Sequence, residues 1–559
     1  MRTSLKNLFL TVLLVLVAQV GQAAETFPVE ITIHADESRG ALKPIWRFFG
    51  YDEANYTYMK DGKKLLTEIS QLDGTPVFIR CHHLLTSGDG APALKWSSTG
   101  IYHEDTAGQP IYDWTMVDRI FDTYLERGLK PYAQIGFMPK DLSVHPQDYP
   151  QDPPPDQKVF PGSGFSYPPK DYVKWGELIY QWTRHCVDKY GANEVASWYW
   201  EVWNEPNISY WRGTHAEYFK LYDYAVDAVR RALPNARVGG PEVAGGPGGK
   251  FLAEFLTHCA LGTNFVTGKI GSPLDFISFH AKGSPKFMNG HVQMGMATEL
   301  RNTSDAFSVI AAFPEYRHTP IVIGECDPEG CAACQGAQDA YRNGTMYSSY
   351  TAASFPRLVE LADRYDVNLE GALTWAFEFE NQRPFAGFRV LATAGIDLPV
   401  LNVFRLFAKM SGDNLRVESS AGLGAAEILA HGVRVQPDVS AQASLGSNQL
   451  AVLVWHYHDE DVAGPAALVK LNLKNLPVAG GAMRCEQFRV DENYGNAYAE
   501  WLRMKSPMPL TPEQHRQLEQ AGQLAPPEVT PAVQIKNGSA NFEFTLPRQG
   551  VSLLLFRWS

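Results

Sequence analysis

The sequence predicts an eight-stranded α/β barrel with an accessory antiparallel β sandwich, and three observations carry that prediction. Between about residues 44 and 379, short apolar runs alternate with longer segments of helical periodicity, the pattern of parallel strands with crossover connections. The short runs number eight, the count a closed barrel requires. After Gly395 the pattern changes to short alternating runs broken by Gly, Pro and Asn, as an antiparallel β domain shows. An open doubly wound sheet shares the alternation, but no GxGxxG turn follows the first strand.

Taken in order, the chain opens on MRTSLKNLFLTVLLVLVAQVGQA, with Arg2 and Lys6, an apolar run over 8–20, then Gly21 and Ala23. This is the pattern of a secretory signal peptide cut after about Ala23, and its apolar run is shorter than the ~20 residues of a spanning helix. Export to the periplasm or the extracellular space is expected. Residues 24–43 include a strand-like stretch, FPVEITI at 27–33, expected to join the terminal sandwich. The barrel is assigned to 44–394, with strands at 45–50, 76–81, 131–137, 197–204, 237–240, 276–280, 321–325 and 371–377. Helices over 115–127, 171–190, 216–233, 346–365 and 403–410 have apolar residues at helical spacing, and the first two stop at Gly128 and Gly191. A Pro-rich loop at 144–169 follows the third strand and is long enough to serve as a rim element. The sandwich is assigned to 395–559, with strands at 449–457 (QLAVLVWHY), 467–473 and 551–558 (VSLLLFRW).

Composition narrows the partners. Aromatic residues make up 12% of the chain, weak evidence for surfaces on which sugars stack. A net charge of -12 with no long run of Lys or Arg argues against nucleic acid or an anionic membrane as a target. Seven cysteines are an odd number for an exported chain, so at least one stays free or pairs outside it. Cys326, Cys331 and Cys334 cluster in CDPEGCAAC, which would hold zinc only with a fourth ligand from elsewhere. A local disulfide, or plain buried thiols, suits an oxidising compartment better. The five Asn-X-Ser/Thr triplets, at Asn55, Asn207, Asn302, Asn343 and Asn537, read as chance matches.

In a barrel of this kind the site forms where strands run out at their carboxyl ends. Glu205 stands there, after WYWEVWN and before Pro206, and Glu325 ends IVIGE. Two carboxylates across one mouth can cleave a glycoside, with a covalent intermediate at ~5 Å separation or an intervening water at ~6.5–9.5 Å.

The motif EVWNEPN, followed by GTHAEYFKLYDYAVDAVR and VGGPE, resembles glycoside hydrolase family 39, which holds β-xylosidases and α-L-iduronidase. FFGYDEANY, RCHHLLT, FISFHAKG, IVIGECDP and LTWAFEFE extend the resemblance over nearly the whole mature chain. It implies a retaining mechanism with Glu205 as acid/base and Glu325 as nucleophile, needing no metal or cofactor. Asn204 would then hydrogen-bond the sugar 2-hydroxyl. Arg80 and His82 lie two apart on the second strand and share a face, Arg80 as a cation beside the nucleophile and His82 as a sugar hydroxyl partner. His83 points the other way and is structural. His280 and Lys282 share a face on the sixth strand, and the same His-X-Lys-Gly in iduronidases places the Lys on a uronate carboxylate. Trp375 is the candidate stacking platform, with a core role as the alternative, and Glu378 is expected to bind sugar hydroxyls rather than merely line a solvated loop. Positions 201, 203 and 205 are expected on one face, with Glu201 below the mouth as a buried partner of Arg80.

The reading is an exported exo-glycosidase releasing xylose from xylo-oligosaccharides, with an iduronidase-like or an arabinose- or galactose-releasing enzyme as alternatives. A carbohydrate-binding barrel without catalysis is the rival from another class. The resemblance also allows a homo-oligomer, since exo-acting members of such families often assemble so that a neighbour's loop narrows the site.

Overall fold

The computed structural model describes residues 26–72, 75–151, 163–245 and 249–558. The leader and residues 152–162 of the Pro-rich loop lie outside the described residues.

Eight parallel strands close the barrel: Phe48–Tyr51, Phe78–Cys81, Lys130–Ile135, Tyr199–Val202, Arg237–Val243, Phe276–Lys282, Ile321–Asp327 and Leu369–Thr374. Each coincides with an expected run. Large rings from five strands fill the floor of the barrel. Phe48 stacks on Phe78 at 5.2 Å between centroids, Tyr132 stacks on Tyr199 at 5.0 Å, and Phe276 meets Tyr199 edge-on at 5.0 Å. Glycines on the intervening strands make the room: a Cβ at Gly371 would lie 2.3 Å from the Phe48 ring. This alternation of large and absent side chains leaves a packed floor, so chemistry is confined to the carboxyl ends of the strands.

The helices around the barrel follow their sequence signals at both ends. Asp171 caps Tyr172–Tyr190 by accepting from the amides of Val173 and Lys174, and Thr214 with Glu217 forms a capping box at His215–Ala232. Thr115–Leu125, Thr345–Tyr365 and Pro399–Phe407 also stand where helical spacing placed them. Lys60–Ser70, Gly249–Leu261 and Met296–Ala311 are additional to the helices expected. In Met296–Ala311 the buried face includes Glu299 and Thr303, which blurs the apolar stripe by which a helix is recognised.

The second body is one continuous sheet of nine strands. Thr26–Ala41 enters it between Asp413–Ser419 and Ala466–Lys474. It runs parallel to the latter, so the sheet is mixed rather than purely antiparallel as expected. The remaining neighbours are all antiparallel. Gln449–Tyr457 is buried on both faces. Leu450, Val452 and Val454 enter the sheet's own core, while Ala451, Leu453, Trp455 and Tyr457 join the barrel core. Three helices, Ala425–His431, Ala497–Arg503 and Pro512–Gly522, interrupt the stretch after 410 that the sequence pattern marks as β.

Cys331 and Cys334 form a disulfide with a Cα–Cα separation of 5.5 Å, and the other five cysteines are free and buried. Among the described residues no group of His, Cys, Asp or Glu could hold a metal ion, and no helix is long and apolar enough to cross a membrane. Asn55 and Asn343 are buried, which rules out glycans at those two triplets.

Candidate active site

The carboxyl ends of the second, fourth, fifth, sixth and seventh strands converge on one cluster. Glu205 and Glu325 face each other across His280. Its Nδ1 lies 2.8 Å from Glu205 Oε1 and its Nε2 lies 3.7 Å from Glu325 Oε1. Lys282, two residues further along the same strand, donates to Glu325 Oε2 and to Asp327 Oδ2, both at 2.6 Å. Arg80 lies under the pair, 3.7 Å from Glu325 Oε1, with Asn204 Oδ1 accepting from its Nη2 at 3.0 Å. Glu201 is fully buried and neutralises Arg80 at 2.5 Å while accepting from the Tyr132 hydroxyl at 2.8 Å. His82 Nδ1 meets Asp52 Oδ1 at 2.8 Å, and its Nε2 lies 3.2 Å from Arg80 Nη1. Since Arg80 can only donate, His82 carries its proton on Nδ1 and accepts at Nε2. His83 turns away, bonds Thr86 at 3.0 Å and packs against Trp96, Phe137 and Phe165.

Two expectations need correction. Trp203 does not share a face with Glu201 and Glu205. Strand alternation ends at Val202, because Trp203 and Glu205 both adopt left-handed backbone with φ of 74° and 45°. The Trp203 ring therefore packs against Phe137, Trp175 and Trp211, and Asn204 turns into the pocket in its place. Glu378 is not in the cluster either. Its Oε1 accepts from the Gly395 amide at 2.7 Å, beyond the strand end where the chain has left the barrel. Trp375 does reach the site, with the His82 ring tilted against it at 4.3 Å and the Arg80 guanidinium over it at 5.0 Å. It is 3% exposed, with Gly50 closing one side, so little ring is open to a sugar.

Five further residues belong to the site. Glu242 is buried beneath Glu205, 3.3 Å from His280 Nε2 and 3.4 Å from Arg80 Nη2. Asp327 joins Lys282 to Arg389, whose Nη2 lies 3.3 Å away. Lys95 reaches in from the loop after the second strand to pair with Asp52. Tyr210, stacked on Phe137 at 5.4 Å, feels the charges of Glu205 and Glu325. Glu242 and Asp327 were legible by the rule that found Glu205, a carboxylate where a strand runs out. Lys95, Tyr210 and Arg389 sit in loops, where no periodicity points inward.

The electrostatics separate the ionisable groups. Burial opposes charge on Glu325, but His280, Lys282 and Arg80 hold it well below the usual carboxylate range. Burial also opposes protonation of His280, yet Glu325, Glu242 and Glu205 hold it up at about 10. His82 goes the other way, to about 3, through burial and the neighbouring Arg80. The site thus holds an ionised carboxylate, a cationic imidazole and a neutral imidazole within one pocket.

An α/β barrel that sets two such glutamates on facing strand ends has the constitution of a glycoside hydrolase. The family model described as Glycosyl hydrolases family 39 matches residues 29–539, and the chain belongs to that family. It is 26% identical to a beta-xylosidase of Caldicellulosiruptor saccharolyticus, across 94% of this chain and 98% of that one. It is 25% identical to the alpha-L-iduronidase of Mus musculus, across 88% of this chain and 75% of that one. The crystal structure of a monomeric beta-xylosidase from Caulobacter crescentus CB15 shares the fold, with TM-score 0.72 and 22% identity over 94% of this chain and 99% of that chain. The protein is a glycosidase.

Proposed function

We propose that the enzyme is an exported, retaining exo-β-xylosidase that removes xylose from the non-reducing end of xylo-oligosaccharides. Glu325 Oε2 is held by Lys282, while Oε1 stands 3.7 Å from both Arg80 and His280, beyond hydrogen-bond reach of either. In the first step Oε1 bonds the anomeric carbon as the glycosidic C–O bond breaks, and Glu205 gives its proton to the departing oxygen. In the second step water attacks that carbon, Glu205 takes the water's proton and the ester to Glu325 breaks. Asn204 contributes a donor. Arg80 occupies its Oδ1, and its buried Nδ2 has no hydrogen-bond partner among the described residues, which suits it to meet a sugar hydroxyl.

Exo-action is supported by the closeness of the walls, with the Glu325 side chain 9% exposed and Lys282 14%. The observation that carries xylose is the state of Lys282, whose charge is already matched by Glu325 and Asp327. A uronate carboxylate would have to compete with two carboxylates in place. The near-complete span of the beta-xylosidase relative points the same way. An iduronidase-like activity is the second reading, because Lys282 lies in the pocket and Lys95 brings a second ammonium to its mouth. Arabinose or galactose release remains within the same chemistry. Export is supported by the leader-like residues 1–23 and by the Cys331–Cys334 disulfide, which suits an oxidising compartment.

A panel of aryl xyloside, arabinoside, galactoside and iduronide tests the assignment. The xyloside is expected to give the highest kcat/KM, and a clear preference for another member of the panel contradicts the choice of xylose.

A further inference from the structure

Glu242 has no task in the double displacement, yet the backbone is shaped to bury its carboxylate at the centre of the site. The residue is 0% exposed and holds left-handed backbone at φ 57°. Its side chain fits because residue 324, next to the nucleophile, is glycine: a Cβ there would lie 1.4 Å from Glu242 Oε1. Two links tie it to Glu205. Its carbonyl accepts the Glu205 amide at 2.8 Å, and its Oε1 faces Nε2 of the imidazole whose Nδ1 contacts Glu205. Neither carboxylate oxygen has a hydrogen-bond partner of ordinary geometry among the described residues, so it acts on its neighbours chiefly through charge.

We propose that Glu242 is a positioning residue for glycoside cleavage. It keeps His280 protonated and fixed between the two glutamates, so that the Glu205–His280 pair retains a proton for the leaving group. The inference rests on the proposed role of Glu205 as acid/base. His280 is faced by Glu205 from the fourth strand, Glu242 from the fifth and Glu325 from the seventh, and by Arg80 and His82 from the second. Lys282 lies on its own strand and is matched by Glu325 and Asp327. Arg80 is divided between Glu201, Glu242 and Glu325. Removing the Glu242 charge therefore takes a counter-ion from His280 and leaves Arg80 less compensated beside it.

The alkaline limb of kcat/KM reports loss of the proton held by Glu205 and His280, and the acid limb reports protonation of Glu325. In Glu242→Gln the alkaline limb is expected to move down by about one pH unit or more. The acid limb is expected to move down as well, since His280 is still cationic at that pH and Arg80, relieved of the Glu242 charge, favours the Glu325 carboxylate more strongly. Each unit by which the alkaline limb falls is about a tenfold loss of activity on that flank. Gly324→Ala should lower the alkaline limb in the same way by displacing the carboxylate, while Glu242→Asp, which keeps the charge, should return the limbs toward their wild-type positions. NMR titration of the His280 ring provides a readout without turnover, its midpoint falling in Glu242→Gln.

A folded Glu242→Gln or Gly324→Ala protein that loses activity with both limbs and the His280 midpoint in place overturns the proposal. A wild-type protein that cleaves no glycoside overturns the catalytic reading instead, and the His280 titration still reports whether Glu242 governs that ring.

Discussion

Left-handed backbone gathers around the pocket: His83, Lys95, Trp203, Glu205 and Glu242 have φ of 65°, 58°, 74°, 45° and 57°. Each costs of order 1 to 2 kcal/mol for a residue with a Cβ, and such strain persists only where surrounding contacts impose it. Here it re-aims side chains that strand alternation would send elsewhere. Glu53, one residue beyond Asp52, shows the cost in charge. It is buried, its Oε1 accepts the Lys95 amide at 2.6 Å, and burial pushes its carboxyl up to about 8. Above its unfolded pKa the unfolded chain releases this proton while the folded protein holds it. Stability contributed by the protonated group is therefore full below about pH 4.5 and is lost as pH rises through 8, by up to about 1.4 kcal/mol per unit. Glu53→Gln keeps the hydrogen bond without the titration. Its thermal midpoint relative to wild type is expected to rise between pH 5 and pH 9, and a difference that stays flat over that range contradicts the assignment.

At the scale of elements, the barrel depends on where glycine stands. The ring of Phe48 occupies the space a side chain at residue 371 would need, and it is held there by Phe78 and Tyr199. Gly371→Ala should therefore cost about 1–3 kcal/mol by overpacking, read from the midpoint of urea unfolding, with the pocket unaltered. A variant as stable as wild type would mean that the floor can yield. The same elements show what was legible in the sequence. All eight barrel strands were, because an inward-facing strand end cannot hide its apolar run between helices of clean periodicity. So were Arg80, His82, His280 and Lys282, which obey period two. Trp203 was misplaced because the backbone leaves the strand one residue after Val202, and nothing in the composition of WNEP gives the turn. Glu378 was misplaced for a related reason: the eighth strand ends at Thr374, so alternation no longer governs it. Lys95 and Arg389 reach the site through loop geometry, which residue types alone do not encode.

At the scale of the molecule, barrel and sheet share material. Strand Gln449–Tyr457 gives one face to each core, and Arg357, from the helix before the eighth strand, pairs with Asp438 of the sheet at 3.1 Å. Thr26–Ala41 lies between two strands from the far end of the sequence, so the two ends of the folded chain are tied into one body. The disulfide belongs to the same framework. Arg342 donates to the carbonyls of Cys331 and Cys334 and pairs with Glu329, which in turn meets Arg389 at 2.5 Å. From Arg389 the charges alternate through Asp327 and Lys282 to Glu325. The whole arrangement converges on one carboxylate, the one proposed to form a bond to the sugar. Glu325→Gly, assayed on an activated aryl β-xyloside with and without azide, tests that role most directly. Without azide a loss of at least about 10³-fold is expected, and with azide a restored release of aryl alcohol and an α-xylosyl azide of inverted configuration. Activity near wild type in the variant, or a product of retained configuration, would contradict it.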